Sequence, residues 1–192
     1  MPYTAEHKQQ SRLRILESAV RCFLQQGYER TGISEIMQDA GLTHGAFYAH
    51  FSSKGELYIE AMTHAAKNGR FTAHLKNGKK GSAWFQGVLE GYLNLDHVEG
   101  DESPCPLAFL VTDIATRESD VKQTYTRLYK GMNRYISRQA MDDSKRTKDD
   151  IYAVTAMMIG GVAVSRAIND PKLAKRLLHS CKQTAEKILT SD

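Results

Sequence analysis

The feature that most constrains this chain is the recurrence of apolar residues at three- and four-residue steps, with no run of β-branched residues alternating at period two. Leu13, Leu16, Val20, Phe23 and Leu24 form one such stripe, and Gly27 closes it as a helix stop. A short segment follows at residues 33–40, with Ile33, Ile36, Met37 and Ala40 on its inner face and Gly32 as N-cap. Gly41-Leu42 makes a turn. Thr43 then caps a very short helix carrying Phe47, Tyr48 and Phe51, and Ser53 with Glu56 forms a capping box opening a longer helix to about Thr72.

Beyond a breaker at residues 77–81, the same spacing predicts helices at about 82–94, 107–116 and 119–141. A helix capped by Thr147 and running to about 168 follows, then one from Pro171 to about 189. The fold class expected is all-α, with about nine helices. Residues 1–62 would make a small N-terminal domain and residues 63–192 a larger helical one.

Bulk properties narrow the function less than they narrow the fold. The net charge is +4, yet residues 1–60 hold six Lys/Arg against seven Asp/Glu. Any contact with nucleic acid must therefore rest on where individual cations sit. Cys22, Cys105 and Cys181 are odd in number and widely spaced. They suggest neither a disulfide framework nor a zinc site, and fit a cytoplasmic protein. The first fourteen residues are polar, and the longest uncharged apolar stretch, residues 151–164, is short of the ~18–20 residues that span a bilayer. A soluble protein with no membrane partner is expected. No Ser/His/Asp order, glycine-rich phosphate loop or HExxH string occurs, so neither enzyme chemistry nor a cofactor is expected.

Two short helices joined by a glycine-containing turn have helix-turn-helix spacing. Around them stand Phe23, Gly27-Tyr28, Thr31, Ile33, Ile36, Ala40-Gly41-Leu42, Gly45, Phe47-Tyr48, His50-Phe51, Lys54 and Leu57. This string resembles the N-terminal domain of the TetR family of transcriptional regulators over about residues 10–62. The resemblance implies a homodimeric DNA-binding regulator whose C-terminal domain takes a small molecule, with double-stranded operator DNA as its partner. By position, base-edge contacts would fall at His44, Gly45, Ala46 and Tyr48. Phosphate contacts would fall at Thr43, His50 and Lys54, aided by Thr31 and Ser34. Phe47 and Phe51 would point inward, and His50 could equally cap or pack. The family often has lysine at the position of His44 and threonine at that of Ala46, so its operator sequences do not carry over.

In the larger domain, Ala156, Gly160, Val164 and Ala167 form a small-residue stripe, and Leu173, Leu177, Cys181, Ala185 and Ile188 an apolar one. Two such helices from each subunit would make a four-helix interface. Trp84, Tyr92, Phe109, Tyr125, Tyr129 and Met158 are expected to line a ligand cavity, although each also suits a plain core position. Cys105, beside a helix N-terminus, offers an alternative regulator that senses oxidants or electrophiles through its thiol. The neighbouring His97, Glu99, Asp101 and Cys105 match no standard metal spacing, so no metal is expected and a solvated acidic loop is the plainer reading.

Overall fold

The computed structural model describes residues 5–69, 72, 81–99, 104–140 and 147–190, and every element among them is helical. The order is α1 Ala5–Arg30, α2 Ile33–Asp39, α3 His44–Ala49, α4 Lys54–Asn68, α5 Ser82–Tyr92, α6 Leu95–Glu99, α7 Pro106–Phe109, α8 Val111–Ile114, α9 Ser119–Ala140, α10 Lys148–Ala167 and α11 Pro171–Thr190. That makes eleven helices among the described residues, against about nine expected. One extra is α6, whose first turn is capped by the Asn94 side chain accepting the His97 N–H at 2.8 Å. The other arises because Leu110, at φ −111° and ψ 3°, splits the helix expected at 107–116. The turn expected at 77–81 falls mostly outside the described residues.

The first four helices wrap one core. Gly27 takes φ +78°, which breaks α1 where a stop was expected. The inner face of α1 is built by Ile15, Leu16, Ala19, Phe23 and Leu24, all buried, whereas Leu13 is exposed. The expected stripe began one turn too early. α3 is a tight 3-10 helix of six residues. Phe47 and Phe51 bury completely beneath it and stack with centroids 5.9 Å apart. The same core takes Leu110, Ile114 and Val121 from α8 and the start of α9, and α4 runs unbroken past residue 62.

A second core joins α5, α9, α10 and α11. The capping box expected at Thr147 is present, with Thr147 and Asp150 bonding each other's backbone N–H groups at 2.9 and 3.2 Å. Ala156, Val164, Ala167 and Leu173 stand exposed on α10 and α11. Ala185, expected on the same outward stripe, is fully buried. Cys181 is turned partly inward, 3.3 Å from where a side chain on Gly161 would begin. Among the described residues no helix is long and apolar enough to cross a membrane.

Candidate nucleic-acid interface

The placement of α3 follows from how α2 is anchored. Ser18 donates to the Ile36 carbonyl at 2.8 Å, Arg14 to the Ala40 carbonyl at 2.5 Å, and Arg21 pairs with Asp39. Gly41 turns the chain at φ +63°, where a side chain is strained and would also displace the Arg14 guanidinium 2.7 Å away, so glycine is favoured. The Phe47–Phe51 stack then holds α3, reinforced by Arg12, which lies 4.7 Å over the Phe51 ring and pairs with Glu60.

With the phenylalanines inside, Thr43, His44, Gly45 and Tyr48 face outward and Ala46 is half-buried. Tyr48 is 64% exposed, a large fraction for an aromatic side chain, and the His44 ring meets it edge-on at 6.1 Å. Thr43 occupies the N-cap position, but its side chain makes no capping bond. A Cβ on Gly45 would meet nothing within 4 Å. Packing therefore does not require glycine there, and the bare backbone is open to an approaching surface.

The residues expected to meet phosphate are less uniform. Lys54 opens α4 beside the Ser53 cap, which accepts the Glu56 N–H at 3.0 Å. The return bond of the expected box goes instead from the Ser52 N–H to Glu56. Lys54 Nζ sits 4.2 Å over the Tyr28 ring, and burial lowers its pKa. Ser34 is exposed on α2. Thr31 corrects the expectation: it is fully buried, and its hydroxyl donates to the Gly27 carbonyl at 2.7 Å. Its side chain secures the α1–α2 turn and offers nothing to a phosphate. His50 is half-buried with Nδ1 unpartnered, and burial followed by the charges of Lys8 and Arg12 lowers its pKa. Any contact it makes at neutral pH is that of a neutral ring.

Spacing alone did not reveal what stands behind Lys54. Asp113 on α8 accepts the Tyr58 hydroxyl at 2.6 Å and the Tyr28 N–H at 3.2 Å. Arg117 lies 4.9 Å over the Tyr28 ring and pairs with Glu29. The outward face is thus tied to α8 and the segment after it through Asp113 and Arg117. Tyr28 was visible in the motif, whereas Asp113 and Arg117 lie more than eighty residues away in the chain.

In the larger bundle, the six aromatic and methionine positions pack among the helices, apart from a cavity that lies against α4. That cavity, of about 260 Å³, opens between the C-terminal end of α4, α7 and α9, walled by Ala65, Leu107, Leu128 and Met132 among others. None of Trp84, Tyr92, Phe109, Tyr125, Tyr129 or Met158 lines it. Tyr92 and Met158 are fully buried core, Trp84 nearly so, and Phe109 packs partly buried against the same cluster. Tyr125 donates to the Leu107 carbonyl at 2.8 Å, and Tyr129 bonds Thr155. These rings fill the space between helices instead of surrounding a void.

Cys105 is buried, and burial raises its thiol pKa, opposing the thiolate that oxidant sensing requires. His97 is half-buried. Its Nδ1 faces the Tyr92 carbonyl at 2.7 Å and its Nε2 accepts the Cys105 N–H at 3.1 Å, so the ring is a neutral structural clasp. Asp101 and Glu102 of the acidic loop lie outside the described residues.

The profile described as "Bacterial regulatory proteins, tetR family" matches residues 15–61, the segment that builds the first core and its outward face. Over 57 residues the chain is 44% identical to the HTH-type transcriptional regulator AcrR of Shigella flexneri, a match covering 30% of this chain and 26% of that one. It is 23% identical over 173 residues to the HTH-type transcriptional regulator YxaF of Bacillus subtilis, covering 83% and 87% of the two chains. A TetR transcriptional regulator from Chloroflexus aurantiacus shares the fold with a TM-score of 0.78 over 97% of this chain and 98% of its own, at 21% identity. Residues 15–61 thus match the tetR family of bacterial regulatory proteins, and the helices of the chain as a whole share the fold of a solved TetR regulator.

Proposed function

We propose that this protein is a cytoplasmic, non-enzymatic transcriptional regulator that binds operator DNA as a homodimer and is released by a small molecule held in its C-terminal domain. The observation that carries the reading is the outward grouping of Thr43, His44, Gly45 and Tyr48 over buried Phe47 and Phe51. An exposed Tyr48 and a glycine that packing does not require are what a base-reading surface needs. Lys54 and the N–H groups at the start of α4 would meet an adjacent phosphate. Residues 1–62 would form the reading head, and residues 63–192 the ligand-binding and dimerising body.

Dimerisation is supported by the apolar groups left exposed on α10 and α11, with Val164 and Leu173 about half exposed. One short helix gives a monomer little affinity, while a pair of heads reads two half-sites ~34–36 Å apart. Ligand control is supported by the position of the cavity at the far end of α4, the helix that begins at Lys54. A ligand that binds better when α4 is shifted would change the separation of the two heads and favour release.

Footprinting on DNA flanking the protein's own gene tests the reading. A protected, two-fold symmetric site is expected. Absence of sequence-specific protection at low salt would sink it.

A further inference from the structure

Among the described residues, the lining of the cavity between α4, α7 and α9 contains Lys67 from α4 and Arg127 from α9, both exposed, and no acidic residue. Among the described residues neither cation has a carboxylate in ion-pair reach; Arg127 instead donates to the Thr124 hydroxyl at 2.7 Å, which orients the guanidinium. The remaining surface is mainly apolar, from Leu107, Leu128 and Met132. Two cations lining one mainly apolar cavity give it a positive potential that favours an anion.

Gly131 adds an independent sign that this space is kept open. It lies within α9, its φ is not positive, and a Cβ there would meet nothing within 4 Å. Glycine inside a helix is unfavourable, and here neither turn nor packing calls for it. Its consequence is that one wall of the cavity has no side chain.

We infer that the cavity takes a small organic carboxylate, its apolar body against Leu107, Leu128 and Met132 and its charged end between Lys67 and Arg127. The volume of about 260 Å³ sits just under the ~300–1,000 Å³ usual for ligand sites, which favours a compact acid. This inference rests on the reading of the C-terminal domain as the effector-binding part.

Titration calorimetry on the full chain would use sodium benzoate and sodium octanoate beside the neutral benzamide and octanamide. At least one acid is expected to bind, with its amide about tenfold weaker or worse. Lys67→Gln and Arg127→Gln should each weaken the acid several-fold to about tenfold and leave the amide unchanged. Gly131→Leu, which fills open space, should abolish binding. The inference is overturned if no acid binds at millimolar concentration, if acid and amide bind alike, or if the acid is unaffected by both charge changes. Gel shifts in parallel separate the two readings. An acid that binds with this charge dependence but releases no DNA sinks the effector role and leaves the site standing. Release by a neutral compound, with no acid binding, does the reverse.

Discussion

The two cores of this molecule are built to different standards of closure. In the reading head the buried hydroxyls of Ser18 and Thr31 each have a carbonyl partner, and α3 rests on an unbroken stack of Phe47 and Phe51. In the larger bundle, Trp84 Nε1 and Ser165 Oγ are buried without a hydrogen-bond partner among the described residues, α9 carries a glycine that packing does not need, and a cavity lies against α4. On the proposed function, a group that reads base edges must be held in place before it meets them, so slack in the first core would cost specificity. Slack in the body costs stability, but it leaves space that something else can occupy. The head's exception, unpartnered His50 Nδ1, lies on the half-exposed residue next to the proposed DNA face.

The comparison is broken most directly at Phe47. Phe47→Ala should destabilise the protein by about 3–5 kcal/mol, since a fully buried ring is removed from a site with little room to collapse. Chemical denaturation measures this, and a loss below about 1 kcal/mol would show that the head is not tightly packed. Asp113→Ala tests the tie between the outward face and α8. It leaves the Tyr58 hydroxyl and the Tyr28 N–H without their shared acceptor and should cost roughly 2–3 kcal/mol. If the tie transmits a signal, DNA release in that variant should also become less sensitive to ligand.

Tyr48→Ala should leave folding unchanged and cost about 1–3 kcal/mol of DNA affinity, with relaxed base preference in a binding titration. Lys54→Ala should instead weaken all sequences alike and flatten the salt dependence. A smaller effect concerns acid. Burial lowers the pKa of His97 from its ordinary 6.5, so the folded state resists a proton that the unfolded chain accepts. Stability is then fully present above that ordinary value and falls as pH drops through it. Thermal melts should show a decline below about pH 6.5 that His97→Gln reduces. Smallest and opposite in sign, Gly131→Ala should stabilise by about 0.5–1 kcal/mol while narrowing the cavity.

Legibility followed the range of the interactions. The helix-turn-helix spacing, the caps at Gly32, Ser53 and Thr147, the inward Phe47 and Phe51 and the outward Tyr48 could be read in the chain, because each depends on neighbours a few residues away. The errors share the opposite cause. Thr31 looked like a surface contact until the α1–α2 turn buried it, and Leu13 looked buried until the packing of α1 placed Ile15 and Ala19 inside. The expected ligand-lining rings lie outside the cavity between α4, α7 and α9 for a similar reason, since a large apolar side chain fills a core and lines a cavity with the same chemistry.

What the sequence by itself determined is an all-helical chain with a helix-turn-helix and its short second helix near its start. Helical period, caps and glycine turns are local, and local rules suffice for them. Only the tertiary structure decided that Asp113 joins Tyr58 and Tyr28, that Cys105 is closed off beneath His97, and that Lys67 and Arg127 share one cavity. Those juxtapositions bring together residues tens of positions apart, and no periodicity in a single chain records which distant side chains will meet.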